Sequence, residues 1–193
     1  MHYKNHKQFR LPGFDYSSKG DYFITICTKE RAHHFGRIVK SKEDSIIELS
    51  PVGFFVQESI LEIPDTHNKV RLGETVVMPN HVHLIITLVG QREAVVPEQS
   101  ETQKKMAPTK GLAPLIPGSI SSVINHFKGK VKKWCNANEL EGFDWQSRFH
   151  DHIIRNTGEY NRISNYIANN IRNWDDDENN DDGINFRKDM RTR

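Results

Sequence analysis

Apolar residues recur in this chain with two distinct periods, and the change from one to the other divides it into elements. Tyr22-Phe23-Ile24-Thr25-Ile26-Cys27-Thr28 is aromatic and β-branched and predicts a strand. Phe35–Val39 and Ser45–Leu49 predict a short hairpin pair. Ser50-Pro51 follows as a helix start, a capping hydroxyl with proline at the first helical position. Val52, Phe55, Val56, Ile60 and Ile63 then keep a helical stripe until Pro64. Thr75–Met78 and His81–Leu88 predict two more strands around a Pro79-Asn80 turn. Residues 91–118 hold four prolines among glutamines, lysines and small residues and read as a mobile loop. Ser119 caps a helix whose Ile120, Val123, Ile124, Phe127, Val131 and Trp134 return every 3.6 residues. Asp144–Arg155 is strand-like, and Thr157 can cap a last helix with Tyr160, Ile163, Ile167, Ile171 and Trp174 on one stripe.

Strands that precede and separate helices, with neighbouring strands joined by short turns, predict an α+β domain with a mainly antiparallel sheet and helices packed on it. The length of 193 residues fits one such domain with appendages. No apolar run reaches the eighteen or so residues that span a bilayer, and the start of the chain lacks a secretory pattern. Cys27 and Cys135 form no CxxC motif and read as reduced core or helix residues, which points to a cytoplasmic protein.

The net charge of +2 says little, but its distribution says more. From Lys104 to Lys133 there are seven lysines and no acid, and from Asp175 to Asp182 six acids and no base. A basic block followed by an acidic one suits a polyanion binder with a separate solvated tail, here 175–193. Lys128, Lys130 and Arg155 are candidate phosphate contacts, since lysine and arginine supply most of these without reading sequence.

The candidate chemistry lies in the predicted strand His81–Leu88. Alternation puts His81, His83, Ile85 and Thr87 on one face and Val82, Leu84, Ile86 and Leu88 on the other. Two imidazoles so placed can converge on one metal ion. Spacing alone does not select them, because His150 and His152 repeat it. A histidine-triad hydrolase would need a third histidine at position 85, which is isoleucine.

The string Val76-Val77-Met78-Pro79-Asn80-His81-Val82-His83-Leu84-Ile85 resembles the signature of the HUH single-strand transposases, above all the REP-associated tyrosine transposases. The resemblance extends over roughly 14–177, outside the proline-rich loop, and implies a transposase domain over 14–174. It takes in Ile47–Gly53, Ser119–Lys130, Trp145-Gln146, Phe149–Arg155, and Tyr166-Ile167-Ala168-Asn169-Asn170 with Trp174. It implies a ferredoxin-like, RRM-like HUH fold and an enzyme that cleaves and rejoins single-stranded DNA carrying a hairpin, as a monomer or a homodimer. It also implies His81 and His83 as metal ligands, Asn170 as a third ligand, and Tyr166 as the nucleophile. The ion would be Mg²⁺ or Mn²⁺; a mixed nitrogen and oxygen set suits manganese, whereas magnesium prefers oxygen. Relatives commonly carry proline after the asparagine, and Ile171 stands here instead, which would let the helix continue.

Helix geometry agrees with this assignment, since Tyr166 and Asn170 form an i, i+4 pair at the edge of the apolar stripe while Tyr160 falls inside it. A phenol is a weak nucleophile at neutral pH, but its phosphodiester keeps the energy of the broken DNA bond, so strands can be rejoined without ATP. The alternative from another class is a non-catalytic module that binds single strands by stacking and charge.

Overall fold

The computed structural model describes residues 14–41, 44–89, 115–177 and 179–180. Most of the expected proline-rich loop, and the end of the chain from 181, lie outside the described residues. The elements run β1 (Gly20–Cys27), β2 (Gly36–Lys40), β3 (Ser45–Leu49), α1 (Pro51–Leu61), α2 (Ile63–Thr66), β4 (Val70–Val77), β5 (His81–Leu88), α3 (Ile120–Ala137), β6 (His150–Ile154) and α4 (Thr157–Ala168). Four strands form an antiparallel sheet in the order β4-β5-β1-β6, and β2 and β3 form a separate hairpin. With that hairpin set aside, the chain reads β-α-β-β-α-β around a central first strand, the ferredoxin-like arrangement. The α+β architecture is the expected one.

The two faces of the sheet differ in what covers them. Tyr22, Ile24 and Ile26 of β1 and Val82, Leu84, Ile86 and Leu88 of β5 point to one side, where they pack against Val52, Val56 and Ile60 of α1 and Ile120, Val123, Ile124, Phe127 and Val131 of α3. This is the main core. Strand pairing puts Phe23 opposite both Ile85 and His152, and Thr25 opposite both His83 and His150, so these side chains share the other face. There a smaller cluster, Ile85 and Ile154 with Ile163 and Ile167 of α4, seats the last helix. α4 crosses β4 at Gly73, where an added Cβ would run into the Tyr160 hydroxyl and Ile85. Tyr160 packs against this cluster, as its place in the stripe predicts.

The helix starts follow local chemistry. Ser50 Oγ accepts from Gly53 N at 3.0 Å, and Ser119 Oγ accepts from Ser122 N at 3.3 Å. The cap of α4 is Asn156, not Thr157: its Oδ1 accepts from Glu159 N at 2.9 Å, while Thr157 already has its place inside the helix. α4 also stops earlier than Ile171 suggests, ending at Ala168 with Asn169 as its C-cap. Ile171 and Trp174 therefore leave the helical stripe. Trp174–Asp176 form a separate 3₁₀ turn, and Asp177 and Asn180 behind it are buried. Within the expected tail, 175–193, Asp175 and Asp176 are exposed while Asp177 and Asn180 are buried.

Candidate active site

His81 and His83 enter the site from the start of β5, at 0% and 2% exposure. Their Nε2 atoms are 3.0 Å apart. The polar groups behind each ring bear on the tautomer. Asn80 Nδ2 donates to Arg31 O at 3.1 Å and to Asn179 O at 2.8 Å, which turns Asn80 Oδ1 towards His81 Nδ1 at 2.8 Å. An amide oxygen can only accept, so His81 carries its proton on Nδ1 and leaves the Nε2 lone pair facing inward. Behind His83, Thr25 Oγ1 is 2.8 Å from Nδ1, and a hydroxyl can serve either tautomer. An ion between the rings would draw Nδ1–H of His83 onto Thr25 in the same way. Cis ligands on an octahedral ion with bonds of about 2.1 Å stand about 3.0 Å apart, the spacing of the two imidazoles.

A carboxylate completes the cluster. Asp177, 7% exposed, brings Oδ2 to 3.9 Å from His81 Nε2. His81, His83 and Asp177 thus offer two nitrogens and an oxygen within 4.8 Å of one another, a group that could hold a metal ion. Asp177 was not legible as a site residue, since nothing distinguishes it from its acidic neighbours in sequence. Asn170 is 1% exposed, and its Oδ1 has no hydrogen-bond partner among the described residues. A buried amide oxygen without a partner costs about 1–3 kcal/mol. The donors of His81, His83 and Asp177 could hold a divalent ion.

Burial holds both rings neutral. His83 is pushed down to about 4 by desolvation, against the opposing pull of Asp177. His81 lies well below the usual histidine range, first through desolvation and then through the charges of His83, Arg31 and His33. Trp174 stacks over His81 at 6.1 Å between ring centroids, and Phe23 lies against His83 at 5.2 Å, so the walls are apolar.

Tyr166 projects from α4 towards this cluster. Its hydroxyl is 3.5 Å from His83 Nε2 and 3.4 Å from Asp177 Oδ2, yet the residue is 43% exposed. His81, His83 and Tyr166 therefore come together, as expected from the sequence. His150 and His152 are exposed on β6, and His152 Nε2 is 2.8 Å from Glu159 Oε1. Lys128 and Lys130 are not at the site, because α3 packs on the opposite face of the sheet. Lys128 donates to Gln146 O at 2.6 Å, and Lys130 pairs with Glu62. Arg155 is exposed where β6 meets α4, and its backbone N–H donates to Glu159 Oε2 at 2.8 Å.

An uncharacterized protein of Haemophilus influenzae is 34% identical to this chain over 173 residues, which cover 89% of this chain and 91% of that protein. This chain belongs to the same family as that protein. No family profile matches the sequence. Among solved structures, a REP-associated tyrosine transposase bound to a REP hairpin is similar at a TM-score of 0.49 and 22% identity, over 83% of this chain and 72% of that one. Among the described residues no helix is long and apolar enough to cross a membrane.

Proposed function

We propose that this protein is a metal-dependent tyrosine transposase that cleaves and rejoins single-stranded, hairpin-bearing DNA. The observation that carries the reading is the half-exposed Tyr166, whose hydroxyl lies 3.5 Å from His83 of the buried imidazole pair and 3.4 Å from the Asp177 carboxylate. A tyrosine placed only for packing would not need its hydroxyl there.

His81, His83 and Asp177 would hold the ion, with the unpartnered Oδ1 of Asn170 as a further oxygen. When bound, a divalent ion offsets charge on the scissile phosphate as phosphorus is attacked. The remaining work belongs to the chain. Tyr166 Oη attacks phosphorus, the bond to the 3′ oxygen breaks, and the products are a 5′-phosphotyrosine and a free 3′-OH. The phenolic proton leaves towards solvent, and the 3′ oxygen takes one up. Phe23, 6.1 Å from the Tyr166 ring in an edge-on contact, holds the phenol's direction from below. Arg155, exposed between β6 and α4, is the proposed phosphate contact. Lys128 and Lys130 belong to a separate surface.

The test is a denaturing gel of purified protein incubated with hairpin-bearing single-stranded DNA and Mn²⁺ or Mg²⁺. A covalent protein–DNA band is expected from the wild type and is absent in Tyr166→Phe or with EDTA. An adduct that survives Tyr166→Phe would displace the nucleophile. If no metal condition gives an adduct while DNA is still bound, the protein is a binding module.

A further inference from the structure

We infer that the molecule carries a second metal site, on the far side of the sheet from the first, in which His67 and His126 hold a borderline divalent cation such as Zn²⁺ between α2 and α3. His67 is the C-cap of α2, fixed by its backbone N–H donating to Ile63 O at 2.9 Å. His126 stands on the exposed flank of α3, beside Phe127 of the main core. The His67 Nε2 and His126 Nδ1 atoms are 3.2 Å apart, with the rings at 79°. Two nitrogens on a tetrahedral zinc ion, with bonds of about 2.0 Å, stand about 3.3 Å apart.

A hydrogen bond between two histidines has a similar length, so the spacing alone does not decide. The cleft around the pair decides it. The pair lines a cavity of about 20 Å³ that Glu62, Thr66, Lys130 and Ser59 also line. That volume admits an ion or one water and nothing larger. Ser59 is 3% exposed, and its Oγ has no partner among the described residues. A buried hydroxyl lining an ion-sized cavity is suited to a water in the ion's coordination shell. Glu62 can supply a carboxylate oxygen, and two imidazoles, a carboxylate and a water form an ordinary zinc ligand set. Opposing this, Lys130 lies one turn from His126 and holds Glu62 in an ion pair. The cation and Lys130 therefore compete for Glu62.

Bound there, the ion ties the short α2, which leads into β4, to the long α3. The experiment is a calorimetric Zn²⁺ titration of the chelator-stripped full chain, with a thermal melt at each endpoint. His67→Ala and His126→Ala are each expected to bind one equivalent fewer than the wild type and to lose part of the Zn²⁺-induced rise in Tm. Lys130→Ala is expected to bind that equivalent several-fold more tightly, because Glu62 is released. Full wild-type stoichiometry in either histidine variant overturns the proposal, as does weaker binding in Lys130→Ala. Because the readout is a difference between wild type and variant, it is independent of binding at His81 and His83.

Discussion

Thr25→Val removes one hydroxyl and keeps the shape of a side chain that is 8% exposed. Thr25 is directly across the sheet from His83, with Oγ1 at 2.8 Å from Nδ1. For His83 to offer its Nε2 lone pair to an ion, Nδ1 must carry the proton, and Thr25 must accept it. With valine the ring has two options, both unfavourable for metal binding. It can keep Nδ1–H unpaired in a dry site, or move the proton to Nε2, where it occupies the position of the ion. Partners of this outer kind are worth about 10–100-fold in metal affinity, about 1.4–2.7 kcal/mol. In the metal-free protein, the unsatisfied ring nitrogen should cost about 1–3 kcal/mol of stability. The first arm is a calorimetric Mn²⁺ titration and the second a urea denaturation in EDTA. Thr87→Val is the matched control, on the strand and face of His83, with its hydroxyl donating to Asp21 Oδ1 at 2.5 Å. It should leave Mn²⁺ affinity unchanged. Mn²⁺ affinity in Thr25→Val within twofold of wild type would refute the tautomer argument, whatever happened to stability.

The remaining expectations concern the same cluster. The folded-state pKa values of His81 and His83 lie below the ordinary 6.5, so an unfolded chain binds protons that the native one refuses. Stability of the metal-free protein should therefore fall as pH drops from 7 towards 4, by on the order of 3 kcal/mol for His83 alone; a urea midpoint that stays flat between pH 7 and 5 would contradict this. Asp177→Ala should weaken Mn²⁺ binding by at least about tenfold and by more than Asn170→Ala does, since a carboxylate brings charge that an amide lacks. The reverse order in a titration would make Asn170 the principal oxygen ligand.

How far the sequence was legible depends on where each residue's environment comes from. The alternation of β5 and the 3.6-residue stripe of α3 are local, and both led to the right faces. In β4 the register shifts between Leu72 and Thr75, which breaks the alternation and hid the strand's first half. The cap of α4 moved by one residue because asparagine and threonine are both competent caps. Nothing local marks Asp177 as buried among its acidic neighbours, because the His81 and Tyr166 contacts that hold it come from other elements. The lysines of α3 looked like a phosphate-binding stripe. Their engagement with Gln146 and Glu62, on the face away from the imidazoles, is a tertiary fact.

The strand order has a consequence for how the molecule is made. Its central strand, β1, is the first of the sheet to be synthesised, yet it pairs with β5 and with β6, and Asp21 meets Ile154 only across 133 intervening steps of chain. At about 5–20 residues per second, that strand waits roughly 7–27 seconds on the ribosome for its second neighbour. Such non-local pairing makes folding slow and leaves an apolar strand unprotected in the interval. Tyr166 and Asp177 lie beyond β6, so the candidate site is among the last features to form. A nascent or truncated chain can own both imidazoles and still lack the hydroxyl and the carboxylate that face them.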